Sequence, residues 1–118
     1  MKQLSTSTED ILQAELFKYY HNKYCTKLSN PQHIIFAVPN GGQRSKAQAM
    51  LFKATGLIAG VADLIVIQPN RIVFIELKKE KGKQSDDQQQ FERKVKSLGF
   101  EYYLIRSLEQ FKSYLEQF

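Results

Sequence analysis

The chain has 118 residues, 42% of them hydrophobic, which suits one globular domain with one core over residues 1–118. Its longest apolar runs, such as Leu64 to Ile67, are far too short to cross a bilayer; the polar N-terminus has no apolar signal region, and Cys25, the sole cysteine, excludes an internal disulfide. Seventeen Lys and Arg against twelve Asp and Glu leave a net charge of +5, which permits phosphate contacts but is common where only solubility is needed.

The Ser-Thr-Ser-Thr of residues 5–8 offers caps for a helix from about Glu9 to Tyr24. At 100° per residue, Leu12, Leu16, Phe17, Tyr19, Tyr20 and Tyr24 share one broad face, with Glu9 and Gln13 in its middle. Asn30-Pro31 breaks the chain, and His33 to Val38 reads as a short buried strand. Pro39-Asn40-Gly41-Gly42 is a turn, residues 45–55 suit a short helix, and Gly56 stops it. Asp63 to Lys78 reads as a hairpin, Ser85 to Leu98 as a helix opened by a capping box to Gln88, and Phe100 to Ile105 as a strand. Phe91, Val95 and Leu98 line one face of that helix. Ser107 and Gln110 offer a second capping box for a terminal helix to about Gln117. The order predicts an α/β fold, a mixed central sheet of about four strands flanked by helices, with a helical crossover joining the hairpin to the last strand.

The hairpin carries the chemistry. A loop of two or four residues around Pro69-Asn70 opposes Gln68 to Arg71, Val66 to Val73 and Asp63 to Glu76. Proline does not fit a type I′ turn, whereas a four-residue loop on a type I turn accepts it and keeps the same pairing; a three-residue loop with a bulge would shift the pairing by one, and the first register is expected. Lys78, two residues past Glu76, projects from the same face. Two opposed carboxylates must protonate or find a cation, and a hard divalent ion such as magnesium takes carboxylate oxygens. Against this stands a plain reading, in which all three are solvated strand ends. The apolar runs preceding them disfavour it, because such strands are central and their ends form the rim of a buried sheet.

Phosphodiester hydrolysis needs a metal-activated water and neutralised phosphate charge. Asp63 and Glu76 would hold the metal, with the Leu77 backbone carbonyl helping. Lys78 would position or deprotonate the water, or offset transition-state charge. Glu9 reads as a helix-dipole partner or as a residue reaching the metal directly or through water, steadied by Gln13. Gln88 is either a capping residue or a contact to the lysine or the scissile phosphate. Asn40, Gly41, Gly42 and Arg44 form a turn alone or a backbone-rich phosphate contact. Lys79, Lys81 and Lys83 are solvated, with phosphate contact as the second reading. His21 and His33 read as structural, since neither has a partner at metal spacing. The tyrosines at 19, 20 and 24 read as core and rim.

With these residues in view, the chain resembles the virus-type replication-repair nuclease (VRR-NUC) family of the PD-(D/E)XK superfamily. The resemblance runs from about Glu9 to Arg106. It rests on Glu9-x-x-x-Gln13, Pro39-Asn40-Gly41-Gly42, Gly60-Val-Ala-Asp63, Ile75-Glu76-Leu77-Lys78 and Ser85-x-x-Gln88 with Gly99 downstream. It implies a restriction-endonuclease-like core, dependence on Mg2+ or Mn2+, and Glu9, Asp63, Glu76, Lys78 and Gln88 as site residues. Ala62 departs from the family, which usually has proline there. Minimal members imply a phage or mobile-element enzyme in the cytoplasm of a bacterial or infected host cell, acting as a homodimer on branched DNA such as Holliday junctions, without a membrane. The expectation is a metal-dependent DNA endonuclease. The rivals are a non-catalytic nucleic-acid-binding module of the same fold, an RNA nuclease, or a nuclease that needs a partner protein.

Overall fold

The computed structural model describes residues 8–26, 32–39 and 45–118. The expected caps at residues 5–7, the Asn30-Pro31 break, and the turn holding Asn40, Gly41, Gly42 and Arg44 lie outside the described residues. The elements are α1 (Thr8–Tyr24), β1 (Ile34–Ala37), α2 (Lys46–Ala54), β2 (Leu64–Gln68), β3 (Arg71–Leu77), α3 (Asp86–Ser97), β4 (Glu101–Ile105) and α4 (Leu108–Leu115). This is the predicted α/β order. None of the described helices is long and apolar enough to cross a membrane.

The strands form one mixed sheet in the order β1-β2-β3-β4. β1 and β2 are antiparallel, as are β2 and β3, while β3 and β4 run parallel across the α3 crossover. Gln68 lies opposite Arg71 and Val66 opposite Val73, the expected register. The loop is the shorter one, Pro69-Asn70 alone, and Asn70 has φ 60°. Proline presets the first turn residue and asparagine tolerates the left-handed region at the second, a type II turn.

Alternation along the strands divides the core between two faces. Leu64, Val66, Val73, Ile75, Leu77 and Ile105 pack with Leu16 and Tyr20 of α1 and Phe111 and Leu115 of α4. The opposite face gathers Ala62, Tyr102 and Phe74 beneath Phe91 and Val95 of α3. Glu76 alternates with Ile75 and Leu77, so it falls on the α3 side.

Four expectations are corrected in detail. β1 is an edge strand in which only Ile35 is buried; Ile34 and Phe36 alternate onto the opposite face, where α3 packs over β4 rather than β1. Phe17 is 38% exposed at the margin of the α1 face, where it stacks on His21. Leu98 is 74% exposed, since α3 ends at Ser97 and Leu98 is the cap that turns away. The second capping box is half made: Ser107 Oγ accepts from the Gln110 N–H, but the Gln110 side chain reaches back to the Arg106 N–H at 2.6 Å.

Both histidines that read as structural stay among described packing contacts. His33 Nδ1 meets the Tyr20 hydroxyl at 2.6 Å, and burial lowers the imidazole below its ordinary range.

Candidate active site

The last rung of the β2–β3 ladder is Leu64 with Ile75, one short of the expected Asp63–Glu76 pair. Instead the Asp63 N–H donates to the Ile75 carbonyl at 2.9 Å. Its Oδ2 accepts from the Leu77 N–H at 2.8 Å. Asp63 is thereby tied to the backbone on both sides of Glu76. Its carbonyl accepts from the Val38 N–H at 2.9 Å, which fastens the end of β1 to the same point.

Glu76 is 1% exposed. Its Oε2 accepts from Gln88 Nε2 at 2.9 Å, and its Oε1 faces the Tyr102 hydroxyl at 3.5 Å. Burial pushes Glu76 up to about 9; the Asp63 charge and its hydrogen-bonding contact add to the rise, Lys78 opposes it, and Glu9 adds again. At neutral pH Glu76 therefore keeps its proton, because two carboxylates in one dry place do not both ionise without a cation.

Gln88 fills its capping role and makes a second contact besides. Its Oε1 accepts from the Ser85 N–H at 2.9 Å, while the Gln88 N–H donates to Ser85 Oγ at 3.2 Å. The cap occupies the amide oxygen, so the amide nitrogen is left to face Glu76. Where a contact to the lysine was one expectation, the amide nitrogen meets Glu76 instead. Gly60 makes the approach of α3 possible. Its φ is +80°, and a Cβ there would stand 2.4 Å from the Asp87 carbonyl carbon.

Sequence reading missed Tyr102 and Gln84. Gln84 Nε2 donates to the Tyr102 hydroxyl at 3.2 Å and to Glu92 Oε1 at 3.0 Å, so a polar chain runs from the surface to Glu76. The signal was a hydroxyl-bearing aromatic on β4, and only the sheet order places it two strands from Asp63.

The other predicted residues spread around this centre. Glu9 is half-buried in the first turn of α1, close enough for its charge to act on Glu76. Gln13 lines the groove between α1 and β1 and makes no hydrogen bond to Glu9. Lys78 is half-buried; Lys79, Lys81 and Lys83 are exposed. Among the described residues no three His, Cys, Asp or Glu side chains gather to hold an ion. The donor set nevertheless fits a hard cation. Asp63 and Glu76 bring carboxylate oxygens together, the Glu76 proton is one an ion would replace, and the Leu77 carbonyl is adjacent. Magnesium commonly keeps waters and needs no more than one or two carboxylates.

The VRR-NUC domain profile matches residues 6–109. The chain belongs to the VRR-NUC domain family. The family is generally nuclease-like. A solved structure described as "VRR_NUC domain protein" is 21% identical with a TM-score of 0.72, covering 97% of this chain and 89% of that one. Another, "VRR_NUC domain", is 18% identical with a TM-score of 0.62, covering 97% and 99%. At these identities the likeness establishes the fold. No curated protein matches significantly. In this VRR-NUC domain Ala62, at the position where proline was the family expectation, is fully buried against Val95 and Tyr102. The small side chain serves packing beneath α3.

Proposed function

We propose that this VRR-NUC domain is a metal-dependent DNA endonuclease that hydrolyses phosphodiester bonds. The observation that carries the reading is the meeting of a buried Glu76 with a half-buried Asp63 at one end of the sheet, held by Gln88 and flanked by Lys78. A structural role gives two acids no reason to meet in a dry site without a cation.

Asp63, Glu76 and the Leu77 carbonyl are the groups that would hold Mg2+ or Mn2+. When bound, such an ion generates a hydroxide from water and neutralises phosphate charge. Asp63 is oriented by the Leu77 N–H, and Glu76 by Gln88 and Tyr102. Lys78 positions or deprotonates the attacking water and offsets charge on the phosphate. Glu9 completes the acidic wall, through water. Lys79, Lys81 and Lys83 contact the backbone phosphates of the nucleic acid.

Branched DNA is the proposed substrate and a homodimer the proposed form, since symmetric sites cut paired strands. The exposed Met50, Leu51 and Phe52 on α2, of which no residue is buried, support pairing with a second copy. Sedimentation of the wild type against Met50→Lys tests that arm; a monomer in both removes it.

The deciding experiment compares an end-labelled four-way junction with a matched linear duplex, in manganese, magnesium or chelator, for wild type and Asp63→Ala. Metal-dependent cutting of the junction, lost in the variant while binding persists, is expected. Equal cutting of both substrates removes the branch preference. Binding with no cutting in any metal favours a binding module or an enzyme lacking its partner.

A further inference from the structure

The β3–β4 ladder ends at Leu77 with Ile105, and the Lys78 N–H then donates to the Ile105 carbonyl at 3.1 Å. Arg106 follows at once. It leaves the sheet beside Lys78, one strand spacing of about 4.8 Å away. Its Nη1 donates to the Lys79 carbonyl at 2.6 Å and to the Glu80 carbonyl at 3.1 Å. Those bonds fix the plane of the guanidinium through one nitrogen. Among the described residues, Nε and Nη2 have no hydrogen-bond partner, and no carboxylate pairs with the group.

Thr8, Leu12, Lys79, Glu80, Lys81 and Arg106 line a cleft of about 460 Å³. Three cations stand there against one acid. The walls adjoin the carboxylate site in the chain, since Glu9 follows Thr8 and Lys78 precedes Lys79. A half-buried guanidinium, held rigid with two N–H edges unused, matches the oxygen pair of a phosphate.

We propose that this cleft is a second phosphate subsite, in which Arg106 grips a backbone phosphate flanking the one that is cut. The proposal rests on the nuclease reading and names the residue that sets where the strand lies. A solely structural Arg106 would clip residues 79–80 to β4 and touch no ligand.

Binding of the four-way junction and the linear duplex is measured by fluorescence anisotropy across a salt series in the Asp63→Ala background. Arg106→Met is expected to weaken binding roughly tenfold and to lower the slope of log Kd against log salt by about one phosphate. Arg106→Lys keeps the charge without the fork, so it recovers the slope but not the whole affinity. In the otherwise wild-type enzyme, Arg106→Met raises KM more than it lowers kcat. Lys81→Met, on the same cleft and outside the carbonyl clip, must also reduce the slope; this keeps the test alive if Arg106→Met unfolds. An unchanged slope in Arg106→Met and Lys81→Met, with the wild type still cutting DNA, overturns the subsite and leaves the nuclease standing. A wild type that neither binds nor cuts nucleic acid overturns both.

Discussion

Glu76→Gln separates the chemistry of the carboxylate pair from its contribution to folding. In the metal-free protein Glu76 is pushed up to about 9 by burial and by Asp63. The folded state thus holds a proton that the unfolded state releases near the ordinary glutamate value. Stability from this group is fully present below that ordinary value and is lost as pH rises towards 9. Between about pH 4.3 and 7.5 the loss runs at about 1.4 kcal/mol per pH unit, about 4 kcal/mol in all. Water entry and side-chain relaxation reduce this to about 2 kcal/mol, still a large share of the roughly 5–15 kcal/mol of a small domain. A glutamine mimics the protonated acid. Its oxygen still accepts from Gln88, while its amide nitrogen takes the place of the oxygen that faces Tyr102. In chelator at pH 7.5, Glu76→Gln should melt roughly 8 °C above wild type, with the gap closing towards pH 4.5. Cleavage should be abolished, and manganese should raise the wild-type melting point far more than the variant's. The measurement is a melting series over pH for both proteins. Equal melting at every pH, or a variant less stable at pH 7.5, would refute the assignment of a buried, protonated Glu76.

Gln88→Glu keeps the Ser-x-x-Glu form of the capping box but sets a carboxylate against Glu76; α3 should stay folded by circular dichroism while cleavage falls roughly 10–100-fold. Gln88→Ala loses the cap as well, and should cost about 1 kcal/mol in denaturant titration. Tyr102→Phe retains the ring packed near Phe91 and loses the contact to Glu76; manganese affinity by titration calorimetry should drop roughly tenfold with little change in melting point. Unaltered affinity would remove Tyr102 from the site. Gly60→Ala places a Cβ against the Asp87 backbone at positive φ; it should destabilise by at least about 2 kcal/mol, read in urea, and reduce cleavage by displacing Gln88.

Element order was legible because each element carried a local signature. Ser85 with Gln88 marked the start of α3, Pro69-Asn70 marked the hairpin turn, and the apolar runs on either side set its register. Asp63, Glu76 and Lys78 were singled out by extending that register, since strand pairing brings distant numbers together by a fixed rule, although the ladder stops one rung short of them. Glu9 was singled out by its odd place on an apolar helical face, and the fold brings its charge within reach of Glu76. The details that failed were ones no local pattern encodes. His33 to Val38 looks buried by composition, but α3 packs over β4 and leaves the Ile34 and Phe36 face of β1 exposed. Leu98 has the spacing of a core residue, yet the helix stops one residue before it.

From sequence alone came the α/β order, the hairpin and the two acids and lysine at its end, because backbone periodicity and turn chemistry act over a few residues. Tertiary structure alone decided that Gln88 points at Glu76, that Tyr102 and Gln84 extend that contact, and that Gly60 admits α3. It also decided that Arg106 stands beside Lys78. Those relations depend on which strand lies beside which, and on a helix crossing one face of the sheet. The proton on Glu76 belongs with them: an isolated glutamate ionises in water, and only burial beside Asp63 holds its proton up to about 9.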